Sequence, residues 1–169
     1  MLMLKLFVSF LKALNEKASP RAMAGGFALG AIIGLTPKGN LHNAVVVLLI
    51  FLLPVNKSAS LVAAALFSLV AYVFDPLFNR VGEFFLTLSP LRGFWTALYN
   101  TPVVPWTRFN NTLVLGSVLA ALVLFLPLFY LSAWSVEKYR ERVLAAASKW
   151  KIFHLLKVSK FYILYEKLS

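Results

Sequence analysis

Gly26-Phe27-Ala28-Leu29-Gly30-Ala31-Ile32-Ile33-Gly34-Leu35-Thr36-Pro37-Lys38-Gly39-Asn40 reads as an apolar helix that breaks before it can cross a bilayer. The uncharged run over residues 22–36 covers about 15 positions, whereas a spanning helix needs roughly 20. Ser19-Pro20 opens the run in the expected way, with Ser as N-cap and Pro at the first helical position. At the break, Pro37 removes a backbone donor and Gly39 lets the chain reverse. Residues 41–55 then form a second short apolar run, which Asn56-Lys57-Ser58 ends, with Ser58 read as the next cap.

Working outward, residues 60–74 form a third apolar run, expected to end at Asp75-Pro76. Residues 77–111 mix Arg80, Glu83, Arg92 and Arg108 with prolines and aromatics, which suggests an interfacial segment followed by a loop. Residues 112–134 give the one conventional transmembrane helix, about 23 uncharged residues with Pro127 as a kink and Tyr130 and Trp134 as interfacial anchors. At the N-terminus, Leu4, Phe7, Leu11 and Leu14 recur at helical spacing between Lys5 and Lys12. That helix lies in the membrane interface or packs on the rest of the protein. The expected organisation is an amphipathic interfacial helix (1–18), a membrane core with a broken-helix hairpin (19–88), an extracytoplasmic or interfacial loop (89–111), a transmembrane helix (112–134) and a basic cytoplasmic amphipathic helix (135–169). The fold class is all-α, a polytopic helical membrane protein.

Composition points the same way. Of the 169 residues, 60% are hydrophobic and 14% charged, against roughly 45–50% and 25% in soluble domains. Mean hydropathy is +0.80. The net charge of +11 gathers at the ends. Residues 1–21 hold four basic residues and one acidic, a net +3, and residues 135–169 hold eight and three, a net +5. Cationic flanks on apolar spans fit the positive-inside rule and anionic lipid headgroups, rather than nucleic acid. Both termini are therefore expected in the cytoplasm, with an even number of crossings. Residues 22–55 either form a re-entrant hairpin, the preferred form because broken helices at membrane depth line cavities, or make two thin crossings. There is no cysteine, which excludes disulfides and thiolate metal sites. Lys5 and Lys12 interrupt the N-terminal apolar residues, so no cleaved signal peptide is expected.

Three groups of residues are candidates for function. Ala22, Gly26, Gly30 and Gly34 fall every four residues and leave a bare strip on one helix face, for close helix packing or as the lining of a substrate groove. Thr36, Pro37, Lys38, Gly39, Asn40, His42 and Asn43 make a polar turn, either a headgroup or anion site at depth or an interfacial turn with a snorkelling lysine. Asp75, Pro76, Asn79 and Arg80 form a second polar island, read as a helix-terminus device or as a charged site in which Asp75 pairs with Lys38 or Arg80. Catalytic templates fail. His42 and His154 are the only histidines, and no paired-histidine metal spacing, nucleophile elbow or phosphate loop occurs. No enzymatic activity, cofactor or metal is expected.

Ser19-Pro20, Gly26-Phe27-Ala28-Leu29-Gly30 and Gly34-Leu35-Thr36-Pro37-Lys38-Gly39 together resemble the signature of a bacterial membrane family known as domain of unknown function 2062. The resemblance covers about residues 19–88. Lys38 stands where the family pattern has an apolar residue, and Asp75 where it has Asn. A bacterial inner-membrane location is what the resemblance implies; it carries no activity.

The leading expectation is a small membrane protein that handles or contacts lipid, as an accessory to envelope-lipid transport. It would act with a larger envelope partner or as a homo-oligomer, with Lys38 and Arg80 drawing a phosphate headgroup. The alternatives are a non-transporting scaffold that docks a partner through its basic C-terminal helix, and an ion- or proton-coupled carrier working as an oligomer through Asp75.

Overall fold

The computed structural model describes residues 18–144. The amphipathic segment expected at the N-terminus, all but its last residue, and the basic tail beyond residue 144 lie outside them. The described chain forms helices α1 (Pro20–Leu35), α2 (Leu41–Leu52), α3 (Lys57–Thr87), α4 (Arg92–Tyr99) and α5 (Thr112–Tyr139). Short 3-10 turns at Ser89–Leu91 and Val104–Thr107 flank α4, and a π turn at Arg140–Leu144 follows α5. No strand occurs among the described residues.

Helix α1 starts where Ser19 Oγ accepts the Ala22 amide at 3.1 Å, with Pro20 in the first turn. It then packs against α3 almost backbone to backbone. A Cβ on Gly26 would fall well inside 3.0 Å of the Asn56 carbonyl oxygen, one on Gly30 would meet Ser60 and one on Gly34 would meet Ala64 and Phe67. Each step of four along α1 matches a step of about four along α3, so the two helices run parallel. The Asn56 amide also donates to the Ala22 carbonyl at 2.9 Å. Helix α2 must therefore return beside α1 from the turn at Thr36–Asn40. It buries only Asn43, Val46 and Ile50, one face at helical spacing.

Helix α5 runs against α3 in the opposite sense. Gly82 abuts the Thr112 carbonyl and Gly116 the Phe78 carbonyl. At the other end Met23, Ala59 and Val136 pack together, so α1 begins, α3 begins and α5 ends at one level, called here the basal end. A second cluster, built on Leu29, Ile32, Leu35, Phe78 and Ala121, joins α1, α3 and α5 further along.

Among the described residues two helices, not one, are long and apolar enough to cross a membrane: Lys57–Thr87 and Thr112–Arg142. Only 11% and 28% of their apolar windows are buried within the described fold, whereas the core helix of a soluble domain is mostly buried. The extra helix arises because Asp75-Pro76, expected to stop the third run, does not stop it. Pro76 removes one intrahelical donor, but Phe78 and Gly82 beyond it are buried against α5, and that packing carries the helix on to Thr87. The cap of α3 is likewise Asn56 rather than Ser58, its Oδ1 accepting the Ala59 amide at 2.9 Å. Helix α5 continues past Trp134 to Tyr139 and runs through Pro127.

Beyond α3, Trp95 Nε1 donates to the Phe85 carbonyl at 2.9 Å and its ring stacks on Phe109. These contacts fold the α4 segment over the far end of the bundle. Val103 and Arg108 both take positive φ there, +71° and +56°.

A charged groove at the tip of the hairpin

The turn between α1 and α2 is built from polar side chains that satisfy one another. Thr36 Oγ1 lies 2.8 Å from both the Ile32 carbonyl and Asn43 Oδ1, so one hydroxyl serves two acceptors. The Asn43 and Asn40 amides both donate to the Pro37 carbonyl, at 2.8 and 2.9 Å. Gly39 supplies the reversal with φ +81°. Thr36, Asn40 and Asn43 are all buried. Backbone that a broken helix leaves unpaired is thus met by local side chains.

Lys38 belongs to the same device. Its Nζ donates to the carbonyls of Ile33, Gly34 and Thr36, the last two at 3.1 Å each. An ammonium has three hydrogens, and all three are used on the C-terminal turn of α1. The charge complements the negative end of that helix. Lys38 is therefore a helix cap first.

Two polar atoms in the turn stay without a partner among the described residues: Asn40 Oδ1 and His42 Nε2, both buried. His42 faces the backbone of Thr107, and Trp106 lies beside Asn40 and Asn43 across a shallow open groove.

On the α3 side the turn opens into a groove of about 240 Å³. Thr36, Lys38, Ser68, Tyr72 and Asp75 line it, with Leu113 from α5. Lys38 and Asp75, expected as members of two separate islands, share this groove. No ion pair joins them. Arg80 is exposed and does not line the groove. Asn79 is spent on Thr112, its Oδ1 accepting the hydroxyl. Pro76 is exposed inside α3. Ser68 and Tyr72 were not anticipated. Their signal was available in the spacing 68, 72, 75, which puts Ser68, Tyr72 and Asp75 on one face of a helix once that helix is known to pass Pro76.

The glycine strip serves mainly for packing, and only Gly34 at its end also lines the groove. Ala22, Gly26, Gly30 and Gly34 meet α3 directly. A second groove of about 370 Å³ lies at the basal end between Met23, Phe27, Ala59 and the 128–139 stretch of α5, and its lining is almost wholly apolar.

Comparisons with known proteins give a family and no activity. A protein from Treponema pallidum (strain Nichols), named only "Uncharacterized protein", is 27% identical over 155 residues, which cover 92% of this chain and 96% of that protein. No solved structure matches the chain. A family model described as "Uncharacterized protein conserved in bacteria (DUF2062)" matches residues 5–144, from inside the N-terminal segment to the end of the π turn, and the chain belongs to that bacterial family.

Proposed function

We propose that this chain is a non-catalytic protein of the bacterial inner membrane that handles phospholipid, with α1 and α2 as a helical hairpin, its tip near the far side of the lipid belt, packed between two crossing helices. The observation that carries the reading is the charged groove at the hairpin tip, walled on one side by a helix whose outer face is apolar. From Lys57 to Asp75, 18 residues at a rise of 1.5 Å amount to about 27 Å, close to the roughly 30 Å of a hydrocarbon core. Leu61, Leu66, Leu69 and Val73 are exposed along that length of α3, and Leu122, Val123 and Leu126 on α5. A headgroup at Asp75 would thus sit at the far boundary of the lipid belt, its chains against α3. Helix α1, 16 residues long, reaches about 24 Å and ends beside it.

Charge supports the orientation. Arg21, Lys57, Lys138, Arg140 and Arg142 all belong to the basal end, and the terminal segments add more basic residues. By the positive-inside rule this end is cytoplasmic, and so are both termini. Single cysteines at Lys38, Asp75 and Thr101 test the topology, and the absence of native cysteine makes the labelling clean. An impermeant reagent should reach Lys38, Asp75 and Thr101 only from outside and the termini only from inside. Lipid handling itself is tested by native mass spectrometry from nanodiscs. Phospholipid should stay bound to the protein after detergent exchange, and its complete loss would refute the reading.

One observation favours a second role for part of the chain. The family model stops at residue 144, and residues 145–169 beyond it hold five basic residues and one acidic. A scaffold reading assigns that tail to a partner in the envelope. Deleting it should abolish recovery of the partner and leave lipid retention unchanged.

A further inference from the structure

The tip groove contains two charges in different states. Lys38 has its three hydrogens committed to the end of α1. Asp75 is half-buried and has no hydrogen bond or ion pair among the described residues. Its carboxylate is therefore the charge left for a ligand, and a partly buried carboxylate favours a cation that can also donate hydrogen bonds. One turn back on the same face stands Tyr72, 79% exposed and a lining residue of the groove. An aromatic ring beside a carboxylate is a setting that binds an ammonium by charge and by the ring face together. The Lys38 charge, on the opposite wall, favours an anion at the other end of the same ligand.

Resting on the lipid-handling reading above, we infer that the groove recognises a phospholipid headgroup carrying a primary ammonium, as in phosphoethanolamine. The ammonium lies at Asp75 and Tyr72, and the phosphate lies toward Lys38. Asp75 is the selective residue. Lys38 shapes the wall and contributes field, so its loss would unseat α1 as well as weaken binding. A purely anionic headgroup would place its phosphate between an occupied lysine and a carboxylate that repels it. Arg80 has no part in the site.

The test uses the full chain in nanodiscs containing equal amounts of phosphatidylethanolamine and phosphatidylglycerol with matched acyl chains, read by native mass spectrometry after detergent exchange. The wild-type protein should retain the ethanolamine lipid, and Asp75→Asn, nearly the same shape, should lose about tenfold of that retention, as for one charged hydrogen bond. Retention of phosphatidylglycerol at the basic end should not change. Tyr72→Ala, a substitution at an exposed position, should lower ethanolamine retention several-fold and serves if Asp75→Asn melts early. Equal retention of the ethanolamine lipid by all three proteins would overturn the inference and leave lipid handling standing. Retention of neither lipid by the wild type would refute lipid handling itself. Displacement by soluble phosphoethanolamine at concentrations matching the lipid would make the groove a site for a free solute and overturn the lipid assignment.

Discussion

Replacing Gly30 with alanine tests whether α1 and α3 are held by backbone contact. The new Cβ would lie 2.7 Å from both the carbonyl carbon and Cα of Ser60 and nearer still to its oxygen, whereas real Cβ contacts essentially never fall under 3.0 Å. All three neighbours are backbone, so no rotamer change can make room. The helices must separate by the better part of an ångström, and a gap of that size forfeits a quarter to a half of each dispersion contact along the seam. Overpacking of this kind costs about 1–3 kcal/mol, occasionally more, and a backbone clash belongs at the top of that range. Alanine returns about 1 kcal/mol of helix propensity. The net expectation is a loss of about 2 kcal/mol, read as a lowered unfolding midpoint in dodecyl maltoside titrated with sodium dodecyl sulfate. Gly93→Ala is the control, since nothing lies within 4 Å of its added Cβ, and its stability should not fall. A Gly30→Ala protein as stable as the wild type would refute backbone packing as the source of the α1–α3 seam.

Other substitutions probe the turn, the caps and the distal loop. Asn43→Ala should cost only about 1 kcal/mol, because Thr36 keeps Ile32 and the Pro37 carbonyl keeps Asn40. The double variant with Asn40→Ala leaves that carbonyl bare and should lose more than the sum of the two single changes, as a double-mutant cycle would report. Asn56→Ala removes the α3 cap and should cost about 1 kcal/mol in the same titration. Val103→Gly should raise stability by about 1 kcal/mol, since a β-branched residue at φ +71° is strained where glycine is not.

Much of the hairpin was legible from local chemistry. Ser19-Pro20 marked the start of α1 to the residue, and Pro37 with Gly39 marked its end, because caps and breakers act within one turn. The glycines at 26, 30 and 34 announced close packing through their spacing, though not which helix would fill the strip. Asp75-Pro76 misled for the complementary reason. A proline read locally ends a helix, and only the burial of Phe78 and Gly82 against α5, a contact between distant parts of the chain, keeps this one going. The same error hid the groove. With α3 cut at residue 75, Ser68, Tyr72 and Asp75 could not be seen as one wall facing Lys38. The use of Lys38 on its own helix end was equally invisible, since three carbonyls become acceptors only once the turn has formed.

The parallel seam between α1 and α3 also sets an order of events during synthesis. When residues 20–56 leave the ribosome, they offer two apolar stretches, each too short to span, and a glycine face on α1 with nothing yet packed against it. The surface that α1 needs is the backbone of residues 56–67, which is made later. Stable lodging of the hairpin therefore waits for α3 to insert, and α1, although translated before α3, reaches its final place only with it.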